Sequence, residues 1–124
     1  MLEQFKKAKA ASLMLPVLSD DKRNAVLLAV AHAIETQMPQ LLEANAQDLA
    51  RMERSNPMFD RLMLTADRLK GIASDMRHVS TLPSPLGRTL KEVTLPNGLH
   101  LRRVSVPFGV IGMIYEARPN VTFD

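Results

Sequence analysis

The sequence contains no cysteine and no tryptophan, and it has only one tyrosine and four phenylalanines in 124 residues. Without cysteine the chain can form no disulfide, no thiolate-ligated zinc site and no cysteine nucleophile of its own. Because aromatic residues make up only 4% of the sequence, the core must be built from aliphatic side chains and methionine. The eight methionines are best explained as flexible core filler.

The chain also lacks long apolar runs, concentrated charge and clustered metal ligands. No apolar segment reaches the roughly 20 residues that span a bilayer, and the amino terminus lacks the apolar core of a signal peptide. We therefore expect a cytoplasmic protein without membrane contact. The net charge is +3, but basic and acidic residues are interspersed and there is no basic stripe with stacking aromatics, so we expect no nucleic-acid binding. His32, His78 and His100 fall on separate predicted elements, and we predict no metal site.

Residues 1–80 have the apolar spacing of helices. A first weak stripe ends at Pro16, Pro39 suits the first turn of a later helix, and Thr65 is a suitable N-cap for the last one. The predicted inward faces are Val26, Ala29, Val30, Ala33 and Ile34; Leu42, Ala46 and Leu49; and Leu69, Ile72, Ala73, Met76 and Val79. Residues 1–80 are therefore predicted to form a helical segment.

Residues 81–107 predict a connector followed by a β-hairpin. The two strands, over residues 88–95 and 99–106, are separated by a turn in which Asn97-Gly98 is the strongest signal. In the second strand the alternating apolar residues lie first at odd positions, Leu99 and Leu101, and then at even positions, Val104 and Val106. The apolar side chains therefore change from one face of the strand to the other. This switch predicts a bulge or a change of packing environment.

Residues 110–115 are apolar throughout, which is typical of a strand covered on both faces of a parallel sheet. Ligands of open α/β sheets bind beyond the carboxyl ends of such strands. In the segment that follows, Arg118 could pair with a phosphate or carboxylate, and the Asn120 amide could donate to an oxyanion. On residue type alone, a surface charge and a turn residue are the alternative interpretations.

The run at residues 106–122, and above all Tyr-Glu-Ala-Arg-Pro-Asn at residues 115–120, closely resembles the γ-glutamyl phosphate reductase family. Residues 44–48 and 60–73 resemble helical segments of the same family, so the resemblance covers essentially the whole chain. It implies an α/β, aldehyde dehydrogenase-like fold. This chain would hold only the N-terminal helices (1–80), a bridging or oligomerisation hairpin (81–107) and the first strand of a truncated Rossmann-type NADP-binding domain (108–124).

The resemblance further implies NADPH as hydride donor and L-glutamyl 5-phosphate as substrate, in proline biosynthesis. A cysteine thiolate of the complete enzyme displaces phosphate, and hydride reduces the resulting thioester. Asn120 matches the amide that donates to the oxyanion, and Glu116, Ala117 and Arg118 fall where the loop lines the cofactor groove. This loop is longer than in typical aldehyde dehydrogenases and lacks their Trp before the Asn. The complete enzyme is expected to be a homo-oligomer, and the cysteine-free chain alone is expected to be inactive.

Two other interpretations compete with this one. The helical stripes and the hairpin also suit a free-standing protein-interaction module without catalysis. A different aldehyde dehydrogenase or acyl-phosphate reductase is the second alternative. The apolar segment at residues 110–115 and the Glu-Ala-Arg-Pro-Asn run argue against the interaction module. The Arg-Pro-Asn run argues against the second alternative.

Overall fold

The computed structural model describes residues 2–116 and 118–123. Its elements are α1 (Leu2–Met14), a 3-10 turn (Leu15–Val17), α2 (Asp20–Thr36), α3 (Met38–Leu49), α4 (Phe59–Leu62), α5 (Ala66–Thr81), β1 (Thr89–Thr94), β2 (His100–Val104) and a second 3-10 turn (Pro119–Thr122). The chain divides into two compact units, each made of two separate stretches. Residues 1–20 and 83–112 form the hairpin unit, and residues 21–82 and 113–124 form the helical unit. The division at residues 80 and 107 predicted from sequence stays a prediction.

In the hairpin unit, α1 ends where the proline signal placed its end. Met14 is the last α-helical residue, and Pro16 lies in the following 3-10 turn. Proline fits there because it has no N–H to donate to the preceding helical turn. No residue of α1 is buried, and Leu2 and Phe5 are exposed.

The β-hairpin is the clearest feature of this unit. β1 and β2 pair antiparallel, with Thr94 opposite His100. Gly98 adopts φ +83° in the turn, a left-handed conformation that glycine adopts without steric cost. The predicted turn is confirmed, but the irregularity lies on the other strand: Thr89 pairs with Val104 and Lys91 with Arg103, so the extra residue is Leu90 in β1. The apolar phase switch of β2 reflects this bulge opposite its end.

The helical unit buries only part of the predicted stripes of α2 and α5. Val26, Ala29 and Val79 were predicted to face inward but are exposed, and Ala31, which was not in the predicted stripe, is buried instead. Its buried core consists of Ala31, Ile34, Leu69, Ile72 and Ala73. Partly buried apolar side chains surround this core: Val30, Met38, Leu41, Leu42, Leu64, Met76 and Phe123. On α3 the predicted inward residues Leu42 and Leu49 are half-buried, but Ala46 is exposed and the adjacent Asn45 is buried. The predicted stripe of α3 is therefore wrong at Ala46.

Two polar features define the ends and packing of α5. The Thr65 hydroxyl accepts a hydrogen bond from the Arg68 backbone N–H at 3.1 Å, which confirms the predicted cap. Arg77 donates two hydrogen bonds to the Glu35 carboxylate, at 2.8 and 2.6 Å, and so joins α5 to α2. The hydrogen bonds from Arg77 lower the pKa of Glu35 below its ordinary value, aided by the positive charges of Arg77 and His32 and opposed by partial desolvation.

The predicted strand at residues 110–115 is wrong. The structure gives these residues no regular secondary structure, and their apolar side chains are exposed, as is that of Phe108 at 95%. A strand requires ladder hydrogen bonds to a neighbour. Within the described residues the two strands pair only with each other, so this segment has no ladder to join.

Across the described ranges, no helix is both long and apolar enough to cross a membrane.

Candidate functional site

A buried asparagine fixes the segment that follows α4. Asn45 is only 6% exposed. Its Nδ2 donates to the Leu62 carbonyl at 2.8 Å, and its Oδ1 accepts from the Leu64 N–H at 2.7 Å. Both polar ends of the amide are therefore satisfied by one short stretch of backbone. Since a buried amide is stable only when paired, this side chain holds residues 62–64 against α3.

Arg68 fixes the same segment from α5. Its Nη1 donates to the carbonyls of Asp60 and Met63, both at 2.6 Å, and its Nη2 donates to Asp60 Oδ1 at 3.0 Å. A guanidinium is suited to this because its donors form a rigid planar fork. Arg68 therefore stabilises the α4 turn and neutralises the Asp60 carboxylate.

The segment that carries Asn120 is anchored at both ends. Pro119–Thr122 form a 3-10 turn, in which the Val121 N–H donates to the Arg118 carbonyl and the Phe123 N–H to the Asn120 carbonyl. The Tyr115 and Thr122 hydroxyls share a hydrogen bond of 2.6 Å. Phe123 packs against the core of the helical unit. The backbone on either side of Asn120 therefore has defined contacts.

These two anchored segments enclose a hollow of about 330 Å³. We call it the arginine hollow; it is lined by Asp60, Arg61, Arg68, Arg118, Asn120 and Val121. The lining contains three arginines and one aspartate, so it carries a formal charge of +2. Such a lining attracts anions and offers hydrogen-bond donors to them. No group of three or more potential metal ligands lies together in the part of the chain that the structure describes.

The structure brings together two of the four residues predicted for the site. Asn120 and Arg118 both line the arginine hollow. Glu116 is exposed and is not among the lining residues, and Ala117 lies outside the described residues. The roles predicted for all four stay predictions.

The sequence reasoning missed the other wall of the hollow. In the sequence, Asp60, Arg61 and Arg68 stand out only as part of a segment that resembles the family, and Asn45 only as part of another. Nothing in residue type or spacing indicates that two arginines near residue 65 approach Asn120, because that proximity depends on tertiary contacts. The one local signal is the polar Asn45 beside the predicted apolar stripe of α3. A polar residue at such a position can indicate a buried side chain that hydrogen-bonds to the backbone.

Comparison with known proteins first shows the class. The fold matches part of the crystal structure of γ-glutamyl phosphate reductase from Thermotoga maritima, with a TM-score of 0.89 and 31% sequence identity. The match covers 98% of this chain and 30% of that one. The helix-rich chain with its two-stranded sheet thus has the architecture of a segment of a reductase. No protein-family profile matches the chain.

Sequence relatives then show which reductase the chain resembles. The chain is 61% identical over 120 residues to γ-glutamyl phosphate reductase of Bacteroides thetaiotaomicron and 57% identical over 122 residues to that of Bacteroides fragilis. These matches cover 97% and 98% of this chain. The chain therefore resembles the γ-glutamyl phosphate reductases along almost its whole length, and it spans 29% of the length of these two relatives.

Proposed function

We propose that these residues form part of an NADPH-dependent reductase that converts L-glutamyl 5-phosphate to L-glutamate 5-semialdehyde and phosphate in cytoplasmic proline biosynthesis. The observation that carries this proposal is the 61% identity to a γ-glutamyl phosphate reductase over 120 residues. The aldehyde dehydrogenase-like α/β fold, the start of a cofactor domain at residues 108–124 and assembly into a homo-oligomer belong to the same proposal. No nucleic-acid or membrane partner is needed for this reaction.

Asn120 is proposed to donate a hydrogen bond to the oxyanion that develops on the reacting acyl carbon. Its side chain is exposed to the arginine hollow, and the surrounding 3-10 turn is held in place. A neutral amide is suited to this role because it has no proton that titrates near neutral pH. A single oxyanion donor of this kind contributes about 3–4 kcal/mol at the transition state.

The donor set at this end of the chain fits a phosphate-bearing cofactor. The arginine hollow has an excess of guanidinium groups, which bind phosphate through paired hydrogen bonds. NADP(H) would supply the hydride. Glu116, Ala117 and Arg118 are proposed to contact it, with Arg118 offering the positive charge.

The reaction also needs a cysteine nucleophile, and these 124 residues contain none. The proposed contribution of this chain is therefore binding and oxyanion stabilisation. The thiolate must be supplied from outside these residues.

A segment exchange tests the proposal. In the Bacteroides thetaiotaomicron reductase, the matching 29% of the chain is replaced by these residues, and NADPH oxidation is measured with L-glutamyl 5-phosphate. We expect activity within about tenfold of the unaltered relative, and a further loss of about 10²–10³ in kcat for Asn120→Ala. Gln47→Ala, a truncation of an exposed amide on α3, is the matched control and should have no effect.

A chimera that folds and assembles like the relative but oxidises no NADPH would overturn the proposed function. Full activity of the Asn120→Ala chimera would overturn only the role of Asn120.

A further inference from the structure

We propose that the arginine hollow is a phosphoryl-binding subsite in which Arg61 and Arg118 are the charged donors. The identity of the molecule that carries the phosphoryl group rests on the proposed function. The chemistry of the subsite rests on the structure alone.

The arginines of the hollow differ in what their side chains already bind. Arg68 uses both terminal nitrogens on Asp60 and Met63. The side chains of Arg61 and Arg118 make no hydrogen bond or ion pair anywhere in residues 2–116 and 118–123. Arg68 also pairs with the carboxylate of the hollow, so that carboxylate does not cancel the other two charges. Two guanidinium groups are therefore left to bind a ligand.

The backbone of Arg61 and of Arg118 is held by contacts that do not depend on a ligand. Arg61 lies in α4, which is held by the Asn45 amide and the Arg68 guanidinium. Arg118 directly precedes the 3-10 turn that Phe123 anchors in the core. A ligand that binds here has little backbone to order, which lowers the entropic cost of binding.

A phosphoryl group suits this arrangement. Its non-bridging oxygens accept paired hydrogen bonds from guanidinium forks, and its charge matches the formal +2 of the lining. Asn120 lines the same hollow. If its amide donates to the acyl oxygen of an acyl phosphate, the phosphoryl group on the same carbon lies beside it. A phosphate of a nicotinamide dinucleotide has the same chemistry and is the other source.

The first test uses the 124-residue chain and inorganic phosphate at constant ionic strength, with binding followed by NMR titration. We expect saturable binding that Arg61→Gln and Arg118→Gln each weaken about tenfold or more, because each substitution removes charge-assisted hydrogen bonds to the phosphate. Arg51→Gln is the matched control, since Arg51 is exposed and does not line the hollow. Circular dichroism verifies that each variant keeps its helices.

Binding that does not saturate, or that Arg51→Gln weakens as much as the other two, would overturn the subsite. Competition then separates the two sources. If acetyl phosphate displaces phosphate more strongly than adenosine 2′,5′-bisphosphate does, the phosphoryl group belongs to an acyl phosphate. If adenosine 2′,5′-bisphosphate is the stronger competitor, the phosphoryl group belongs to the cofactor. Displacement by neither compound means an adventitious ion only and rejects the proposal.

The active chimera gives an independent readout. There Arg61→Gln should raise KM about tenfold for whichever of the two substrates carries the phosphoryl group. An inactive chimera with the expected phosphate titration would overturn the proposed function and leave the subsite standing. The reverse result is an active chimera together with phosphate binding that is equal in all variants of the 124-residue chain. It would overturn the subsite and leave the proposed function standing.

Discussion

At the scale of single residues, Asn45 links α3 to a stretch of backbone 17 and 19 positions further along the chain. Both hydrogen bonds go to backbone within three positions of Arg61. An alanine at this position would leave a carbonyl and an N–H without partners in a place that water reaches poorly. The side chain therefore bears on stability and on the position of the arginine hollow at the same time.

We predict that Asn45→Ala lowers the free energy of unfolding of the chain by about 2–3 kcal/mol, since each unsatisfied buried group costs about 1–3 kcal/mol. Gln47→Ala, which removes an exposed amide from the same helix, should change it by less than about 0.5 kcal/mol. Urea unfolding followed by circular dichroism measures both values. Equal effects of the two substitutions would contradict the role assigned to Asn45.

At the scale of secondary-structure elements, α5 depends on a cap that is separate from its apolar face. The Thr65 hydroxyl pairs one of the backbone donors that every helix leaves free in its first turn. We predict that Thr65→Ala lowers the free energy of unfolding by about 1 kcal/mol. Thr65→Ser keeps the accepting oxygen and should retain most of the stability in the same urea experiment. A serine variant as unstable as the alanine variant would indicate that the methyl group, and not the cap, matters.

The ion pair between α2 and α5 makes their association sensitive to acid. Because the folded-state pKa of Glu35 is lowered, its stabilising effect is present above the unfolded value of about 4.5 and is lost as the pH falls through the folded value. We predict that the wild type is more stable than Glu35→Gln at neutral pH and that this difference shrinks below pH 4.5. Thermal unfolding at several pH values measures it.

The exposed Glu43, which makes no ion pair within the described ranges, provides the control for this pH series. Glu43→Gln should follow the wild type throughout. A stability difference between the wild type and Glu35→Gln that does not change with pH would contradict the assignment.

These elements also show which features a sequence can predict. The Thr65 cap, the Pro16 boundary and the Asn97-Gly98 turn depend on local backbone chemistry, and all three were predicted correctly. The core stripe of α5 was also correct at Leu69, Ile72 and Ala73, because helical spacing alone defines that face.

Features that depend on distant partners were not predictable in the same way. The segment at residues 110–115 has the composition of a buried strand, but composition does not supply the neighbouring strand that a ladder needs. Likewise, the loop sequence and the family resemblance point to Arg118 and Asn120 but not to their neighbours in space. The approach of Arg61 and Arg68 to them follows from the buried Asn45 and from the packing of Phe123. The position of Asn45 beside an apolar stripe indicates at most that it is buried, and neither residue shows in the sequence which distant segment it contacts.

At the scale of the whole molecule, the absence of cysteine limits what the chain can do by itself. We predict that the purified 124-residue chain oxidises no NADPH in the presence of L-glutamyl 5-phosphate, because an amide donor cannot replace the nucleophile. Absorbance at the NADPH band measures this, with the unaltered Bacteroides thetaiotaomicron reductase as the positive control. Turnover by the chain above the rate without protein would disprove the prediction.

The division of the helical unit into two separate stretches has a consequence for how the chain is made. Helices α2–α5 are complete once residue 81 has left the ribosome, but Phe123, which packs on their core, is synthesised 42 positions later. At about 5–20 residues per second, the nascent helices would wait roughly 2–8 s for that side chain. During this interval the apolar surface that Phe123 later covers is open to chaperones, so this core is completed only after residue 123 has been added.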